Sequence, residues 1–238
     1  MKLTIIQTGD VPAALRAEFG AYPPMFEKMF DAAGAHYDYD IVPVFEGAPF
    51  PDPQEVEAIL LPGSAAGVYD NHLAWMEPLR HFIRQAYDAK TPMVGICFGH
   101  QIMADALGGV VRKSEKGWGL GRHVYGVKDR PAFMQGAGEA LTVACSHQDQ
   151  VIEAPQDAEI ILGSAFTPNA GLYYHNGAAL SFQAHPEFED PYTKALAEMR
   201  RGKAPDPVID TALASLALTS DSQAVAGYIS HFLDRHAA

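Results

Sequence analysis

The amino-acid sequence predicts an α/β fold with a parallel central sheet and helices on both faces. Two observations lead to this class. Apolar, strand-like runs alternate with helix-like segments through the first half of the chain, which is the element order of a parallel sheet. The middle of the chain is rich in strand-like runs, and helical periodicity returns near the C-terminus. The 238 residues, 48% of them hydrophobic, can bury one full core, so we expect one domain over residues 1–238.

The first half is predicted to alternate strands and helices. The strands are short apolar or alternating runs, and the helices show 3.6-residue spacing with proline or glycine near an end. Strands are expected at 3–8, 37–44, 57–63 and 91–96, and helices at 23–34, 73–89 and 98–109. Pro78 must lie in the first turn of its helix or kink it, because proline lacks an amide hydrogen.

The remainder of the chain is predicted to be strand-rich and then helical. Strands are expected at 121–127, 140–146, 158–165, 171–175 and 179–185. The helical C-terminal part is interrupted at 202–207 and 218–223, and an amphipathic helix closes the chain over 222–236. We expect these C-terminal helices to pack on the sheet. A contact between subunits is the alternative, and the sequence leaves the oligomeric state open.

Charge and cysteine content exclude several classes of function. The net charge of −12 argues against nucleic-acid and anionic-membrane partners. Cys97 and Cys145 form no CxxC pair and no clustered metal-ligand spacing is present, so we expect neither metal nor cofactor. The first apolar run is shorter than a signal peptide needs, and no run approaches the length of a membrane span. We therefore expect a cytoplasmic protein.

Three short segments are predicted to meet at one edge of the sheet. Residues 7–9, 62–64 and 97–99 each follow a predicted strand of the first half. Ligands of such sheets bind outside the C-terminal ends of the strands. The site is therefore expected at this edge.

Cys97 is the candidate nucleophile at that edge. It lies at the centre of Gly95-Ile96-Cys97-Phe98-Gly99, between a predicted strand and a predicted helix. The Gly-x-Ser-x-Gly nucleophile elbow has the same layout, in which a sharp turn exposes the central side chain. A helix N-terminus also favours a thiolate, and the N–H of Phe98 would face an oxyanion. The pentapeptide alone leaves open a small buried cysteine in a crowded turn.

His185 and Glu187 are the candidate partners of the cysteine. A catalytic cysteine needs a histidine base, and the histidine needs a group that holds its tautomer. We predict that a strand ends at His185, that Pro186 keeps His185 extended, and that Glu187 projects to the same side. A packing histidine beside a surface glutamate is the alternative. Combined with the cysteine elbow, the His-Pro-Glu sequence favours a catalytic set.

Several segments resemble the class I glutamine amidotransferases. The matching segments are LLPGS at 60–64, GICFGHQ at 95–101, SHQDQV at 146–151 and QAHPE at 183–187, in the order and spacing of that family. The resemblance covers about residues 1–190 and implies a flavodoxin-like, three-layer α/β fold with a mixed, mostly parallel central sheet flanked by helices. GAYPPMF and HPEF favour stand-alone proteins similar to the amidotransferase domain of GMP synthase.

The resemblance implies roles for individual residues. It implies a catalytic triad of Cys97, His185 and Glu187, with oxyanion-hole N–H groups from Gly63 and Phe98.

The resemblance also implies a substrate pocket. Gln101, Ser146 and His147 would line it around the α-amino and α-carboxylate end of the substrate. Taken alone, the Ser-His-Gln-Asp segment is equally typical of a solvated turn. Ala184 and the turn at 61–67 depart from better-known members of the family and leave the exact substrate open.

The implied reaction is hydrolysis of the γ-amide of glutamine through a γ-glutamyl thioester. The chain lacks a G-x-x-x-x-G-K-[ST] loop, and about 50 residues after Glu187 are too few for a synthetase domain, so ammonia transfer would need a separate synthetase subunit. One alternative is a γ-glutamyl peptide or amine hydrolase without transfer. Others are a non-catalytic regulatory homologue and a protease-like or chaperone-like protein, although the latter usually carry histidine where Phe98 stands.

Two further features are interpreted structurally. The segment Lys113–Gly121 favours a glycine-rich hairpin turn, and a loop over the pocket with Trp118 as a wall is the alternative. Cys145 lies in an apolar run and is expected in the core.

Overall fold

The computed structural model describes residues 1–236, so the last two residues of the expected span lie outside it. The strands are β1 (Lys2–Gln7), β2 (Asp38–Pro43), β3 (Ala58–Leu61), β4 (Met93–Ile96), β5 (Val110–Lys113), β6 (Gly119–Val127), β7 (Ala140–His147), β8 (Asp149–Glu153), β9 (Ala158–Gly163), β10 (Gly171–Tyr174) and β11 (Ala179–Phe182). The helices are α1 (Ala13–Phe19), α2 (Tyr22–Ala32), α3 (Met76–Ala89), α4 (Phe98–Ala106), α5 (Asp190–Glu198), α6 (Asp206–Ser215) and α7 (Ser222–Asp234). None of the helices in this described part is long and apolar enough to cross a membrane.

A nine-stranded sheet runs through the protein in the order β2-β1-β3-β4-β11-β10-β9-β6-β7. Its first five strands pair in parallel, and the other pairs are antiparallel. β10 and β6 therefore run against the other seven strands, which confirms a mixed, mostly parallel sheet. β5 and β8 pair separately in a two-stranded ribbon.

The core is divided between the two faces of the sheet. Ile5 packs in one apolar cluster with Phe26 of α2 and Phe232 of α7. Ile6 packs in the other with Phe82 of α3 and Ile102 of α4. Successive strand residues point to opposite faces, so one buried strand serves both layers. The expectation that the closing C-terminal helix packs on the sheet is confirmed.

Pro78 occupies the first turn of α3, which is one of the two alternatives predicted for it; the other was a kink in the helix. The amide groups of a first turn have no intrahelical acceptor, so proline removes no helix hydrogen bond there. All helices and strands predicted in the first half are present. Most of their ends differ from the predicted positions by one to three residues.

The prediction that a strand ends at His185 is wrong. β11 ends at Phe182, opposite Ile96, because its parallel partner β4 ends there and the chain turns into α4. Residues 183–187 continue as bends and a turn, and the His185 N–H instead donates to the Ala144 carbonyl of β7 at 2.8 Å. Because β11 has no parallel partner beyond Ile96, the segment before His185 leaves the sheet.

Some elements had no signal in the sequence pattern. α1 has only seven residues and no fully buried one; Leu15 and Phe19 pack half-buried against a small apolar cluster, so its periodic signal in the sequence is weak. β5 and β8 lie far apart in the chain and pair only with each other in the described residues. Their pairing is a product of the tertiary fold.

Helix α4 lies very close to the sheet beneath the cysteine elbow. A Cβ atom added to Gly99 would stand 2.0 Å from the Leu61 carbonyl oxygen, and one added to Gly95 would stand 2.5 Å from Met103 Sδ. Both distances are far inside van der Waals contact. Glycine is therefore required at both positions, as expected for an elbow.

We expect Gly99→Ala to lower the free energy of unfolding by about 1–3 kcal/mol, because the backbone must shift to accept one methyl group. Urea denaturation measures the change. Gly227→Ala is the matched control: apart from its chain neighbours and the nearby backbone of its own helix, no atom of residues 1–236 lies within 4 Å of the added Cβ, and the residue is in the interior of α7. That substitution should be neutral or stabilising by up to about 1 kcal/mol. Wild-type stability of Gly99→Ala would contradict the packing argument.

Candidate active site

Cys97 lies at the tip of the turn between β4 and α4. Its backbone has φ 52° and ψ −100°, a conformation that non-glycine residues rarely adopt. Such strain costs about 1–3 kcal/mol and persists only where the surroundings hold it. Here the Cys97 N–H donates to the Phe182 carbonyl at 2.8 Å, and the Gly99 N–H donates to the Pro62 carbonyl at 3.2 Å.

The three segments predicted to share one edge do meet. The Ser64 hydroxyl donates to the Thr8 carbonyl at 2.8 Å, and Pro62 is tied to Gly99. A cavity of about 270 Å³ opens at this edge, with Ser64 and Cys97 among its walls. A larger cavity of about 640 Å³ is lined by Glu187, but Cys97 is not among its walls, so the smaller one is the candidate site.

His185 and Glu187 form a buried pair. His185 Nδ1 lies 2.6 Å from Glu187 Oε1, and the two side chains are 4% and 1% exposed. The carboxylate accepts the Nδ1 hydrogen, which leaves Nε2 free on the other side of the ring. The Phe188 ring is stacked on the imidazole, with centroids 3.8 Å apart and planes 7° from parallel. The tautomer and the ring plane of His185 are therefore both defined by the protein.

The imidazole and the cysteine converge on Gly63. A Cβ atom added to Gly63 would lie 3.8 Å from His185 Nε2 and 3.9 Å from Cys97 Cβ. Burial lowers the pKa of His185, but the carboxylate of Glu187 and the side chain of Cys97 together outweigh burial and raise it above its ordinary value of 6.5. The charged imidazolium is therefore the favoured form at neutral pH.

Two backbone groups lie beside the cysteine. Phe98 is the first residue of α4, where N–H groups have no intrahelical acceptor. Gly63 has no side chain, and a Cβ there would come within 2.9 Å of His185 Cε1. Glycine thus brings the Gly63 backbone against the Cys97 and His185 side chains.

Gln101 is buried and connects the elbow to β8. Its amide donates to the Asp149 carbonyl at 2.9 Å and to Gln183 Oε1 at 3.2 Å. The Gln183 amide in turn lies 3.6 Å from Cys97 Sγ. Gln183 stands within the Gln-Ala-His-Pro-Glu segment of the sequence, but its contact with the thiol could not be read from the sequence pattern.

Ser146 and His147, at the end of β7, line the same cavity. His147 Nδ1 lies 3.1 Å from the Asp149 carbonyl, which accepts its hydrogen. Burial lowers the pKa of His147 to about 3, and the neighbouring His123 and His185 act in the same direction. His147 is therefore neutral, in contrast to His185.

The cavity also contains residues without a role in the sequence-based expectations. Asp149 lines it and lies within the matching segment at 146–151, where it had no assigned role, and Arg200 lines it without any signal in the sequence pattern. Trp118 lines it too, so the alternative interpretation of Lys113–Gly121, a loop at the pocket, describes this segment better than a plain hairpin turn. Cys145 is fully buried in β7, as expected. Residues 1–236 contain no cluster of three or more metal-ligating side chains.

The chain is similar to several known proteins. The family profile described as Glutamine amidotransferase class-I matches residues 28–195. The chain is 35% identical over 137 residues to YLR126C of Saccharomyces cerevisiae, named as a candidate glutamine amidotransferase, with 56% of this chain and 54% of that protein covered. It is 28% identical over 182 residues to Gamma-glutamyl peptidase 5 of Arabidopsis thaliana, with 73% and 70% covered.

A third relative is a subunit of the glutamine-hydrolyzing GMP synthase of Saccharolobus solfataricus, 35% identical over 101 residues, with 42% of this chain and 53% of that protein covered. The chain thus spans about half the length of this relative and of YLR126C. A glutamine amidotransferase of Thermotoga maritima has the same fold, with a TM-score of 0.72 at 20% identity over 99% of this chain and 96% of that chain. Because the family profile covers most of the sequence, the chain belongs to the class-I glutamine amidotransferase family.

Proposed function

We propose that this protein hydrolyses the γ-amide bond of glutamine or of a γ-glutamyl compound. Cys97 is the nucleophile, His185 the general acid and base, and Glu187 the group that orients His185. The proposal depends chiefly on one observation: the buried His185–Glu187 pair and the strained Cys97 converge on Gly63, and Cys97 lines the cavity. The relatives named as amidotransferase and γ-glutamyl peptidase support this reaction class.

The first step forms a thioester. The Cys97 thiolate attacks the γ-carbonyl carbon, and the carbonyl oxygen gains the negative charge. The N–H groups of Gly63 and Phe98 stabilise that oxyanion. In a protease, removal of one such donor raises the activation free energy by about 3–4 kcal/mol. The imidazolium of His185 donates its Nε2 proton to the departing nitrogen as the C–N bond breaks. Ammonia or an amine leaves, and a γ-glutamyl thioester remains on Cys97.

The second step releases glutamate. His185, now neutral, accepts a proton from water as the oxygen attacks the thioester carbonyl. The C–S bond breaks, glutamate departs and the thiolate–imidazolium pair is restored. Throughout the cycle Glu187 stabilises the positive form of the ring. Gln101, Ser146 and His147 contact the α-amino and α-carboxylate end of the γ-glutamyl group.

The fate of the departing nitrogen separates two versions of this function. In an amidotransferase, ammonia passes to a synthetase subunit, and the similarity to a GMP synthase subunit supports that version. In a γ-glutamyl peptidase, an amine simply leaves, and the longer match to Gamma-glutamyl peptidase 5 supports that one. A non-catalytic regulatory role is disfavoured, because all three side chains of the set are present and buried at one site.

We expect Cys97→Ala to reduce hydrolysis of glutamine and of γ-glutamyl dipeptides by about three orders of magnitude or more, because no thioester can form. Glutamate release in a coupled assay measures it. Cys145→Ala removes the other thiol, which is buried in β7 outside the cavity, and should retain activity. Equal turnover in Cys97→Ala and wild type would refute the mechanism.

We expect Glu187→Gln to lower kcat/KM by about 10²- to 10⁴-fold and to move the alkaline limb of its pH profile to lower pH. The imidazolium is present below the raised pKa of His185 and is lost as pH rises through it. Removing the carboxylate lowers that pKa, so activity should fall off earlier. Glu189→Gln is the control, since that exposed residue pairs with Lys28. An unchanged alkaline limb in Glu187→Gln would exclude this role for the pair.

A further inference from the structure

Arg200 is a cation of the cavity with no ionic partner among the described residues. It lies in the turn after α5 and lines the same cavity as Cys97. Its neighbour Arg201 pairs with Glu198, Asp206 and Asp210, whereas no carboxylate of residues 1–236 lies within 4.0 Å of the Arg200 guanidinium. Its Nε atom is buried and has no hydrogen-bond acceptor in this described part of the chain. A guanidinium in this state lacks the anion that such groups normally bind.

The protein holds this side chain in place. The guanidinium carbon lies 4.3 Å from the centre of the Trp118 ring, a cation–π contact. Trp118 itself packs against a buried cluster that includes Leu120, Ala197 and Ile209. The Arg200 carbonyl accepts hydrogen bonds from two following N–H groups of its turn. Arg200 is therefore positioned before any ligand arrives.

A second charged region of the cavity lies beside Gln101. Asp149 and Lys113 are cross-strand partners in the β5–β8 ribbon, and both line the cavity. Gln101 donates to the Asp149 carbonyl, and the Tyr69 hydroxyl donates to Asp149 Oδ1 at 3.2 Å. A carboxylate beside an ammonium group complements the α-amino and α-carboxylate groups of a γ-glutamyl substrate. In the proposed function this region acts together with Gln101, Ser146 and His147 at the α-amino and α-carboxylate end, which leaves Arg200 without a role in binding free glutamine.

Arg200 lies near the aromatic residues that pack on His185. Burial lowers its pKa, and the hydroxyl groups of Tyr22 and Tyr192 act in the opposite direction. The Tyr22 ring is stacked against Phe188, with centroids 6.2 Å apart, and Phe188 is stacked on His185. His185 protonates the departing nitrogen in the proposed reaction, so the leaving group must lie beside it.

We propose that Arg200, stacked on Trp118, binds a carboxylate of the leaving group, so that the preferred substrates are γ-glutamyl amino acids or short γ-glutamyl peptides. The inference rests on the proposed function. Such substrates carry one anion more than glutamine, and a planar guanidinium can bind it through two parallel hydrogen bonds. The covalent steps are unchanged: the γ-amide C–N bond breaks and the free amino group of the second residue departs.

The test compares two substrates that differ by one carboxylate. γ-Glutamylglycine releases glycine, and γ-glutamylmethylamide releases methylamine, which is glycine without its carboxylate. We expect wild-type kcat/KM to be at least about tenfold higher for γ-glutamylglycine, as for other charged hydrogen bonds. Arg200→Gln should lower that value about 10- to 100-fold, mainly through KM. Its values for γ-glutamylmethylamide and glutamine should stay within about twofold of wild type.

Arg201→Gln is the matched control, because it removes the same charge one residue away and outside the cavity walls. It should change none of the three values by more than about twofold. Arg200→Lys keeps the charge without the paired hydrogen bonds and should retain part of the preference. If Arg200→Gln does not fold, the ratio of the two substrates in Arg200→Lys and wild type decides the question.

Each outcome has one meaning. Equal losses on all three substrates, or no loss on γ-glutamylglycine, would overturn the role of Arg200 and leave the proposed function intact. If wild-type kcat/KM is about equal for γ-glutamylglycine and γ-glutamylmethylamide, the role of Arg200 is likewise overturned. If wild-type protein hydrolyses none of the three compounds, the proposed function itself fails, and this inference fails with it.

Discussion

The positive φ of Cys97 is the constraint on which the site depends. A cysteine adopts this conformation only because several neighbours enforce it: β4 is buried between β3 and β11, the Cys97 N–H is bound to Phe182, and α4 starts at the next residue. The close approach of α4 at Gly99 prevents the turn from relaxing. The strain is thereby sustained by the most deeply buried part of the sheet, and the thiol is held at its carboxyl edge.

Burial has opposite consequences for two histidines of this region. His147 is buried without a carboxylate, so its pKa falls and the ring stays neutral. His185 is equally buried, but Glu187, 2.6 Å away, and Cys97 together raise its pKa above the ordinary value. The cost of burying a charge is offset only where a counter-charge is buried with it. The partners of each ring therefore distinguish the imidazolium of His185 from the neutral imidazole of His147.

The cavity walls come from parts of the chain that are distant in sequence. The ribbon of β5 and β8 brings Lys113 to Asp149, and the packing of α5 and α6 against β6 brings Arg200 to Trp118. The first pair lies beside Gln101, and Arg200 lies near the aromatic residues that pack on His185. The cavity wall therefore combines a lysine–aspartate pair with an arginine that has no carboxylate within 4.0 Å among residues 1–236.

The sequence by itself determined the fold class, the elbow and its cysteine, and the pairing of His185 with Glu187. These depend on local rules: periodicity, glycine where backbones touch, and short spacing within one segment. The tertiary structure decided the end of β11, because a strand ends where its partner ends. It also decided the contact of Gln183 with the thiol and the position of Arg200 at the cavity, away from any carboxylate of residues 1–236. Those features depend on which distant residues become neighbours, and long-range packing, unlike a local pattern, leaves no trace in the spacing of residues along the chain.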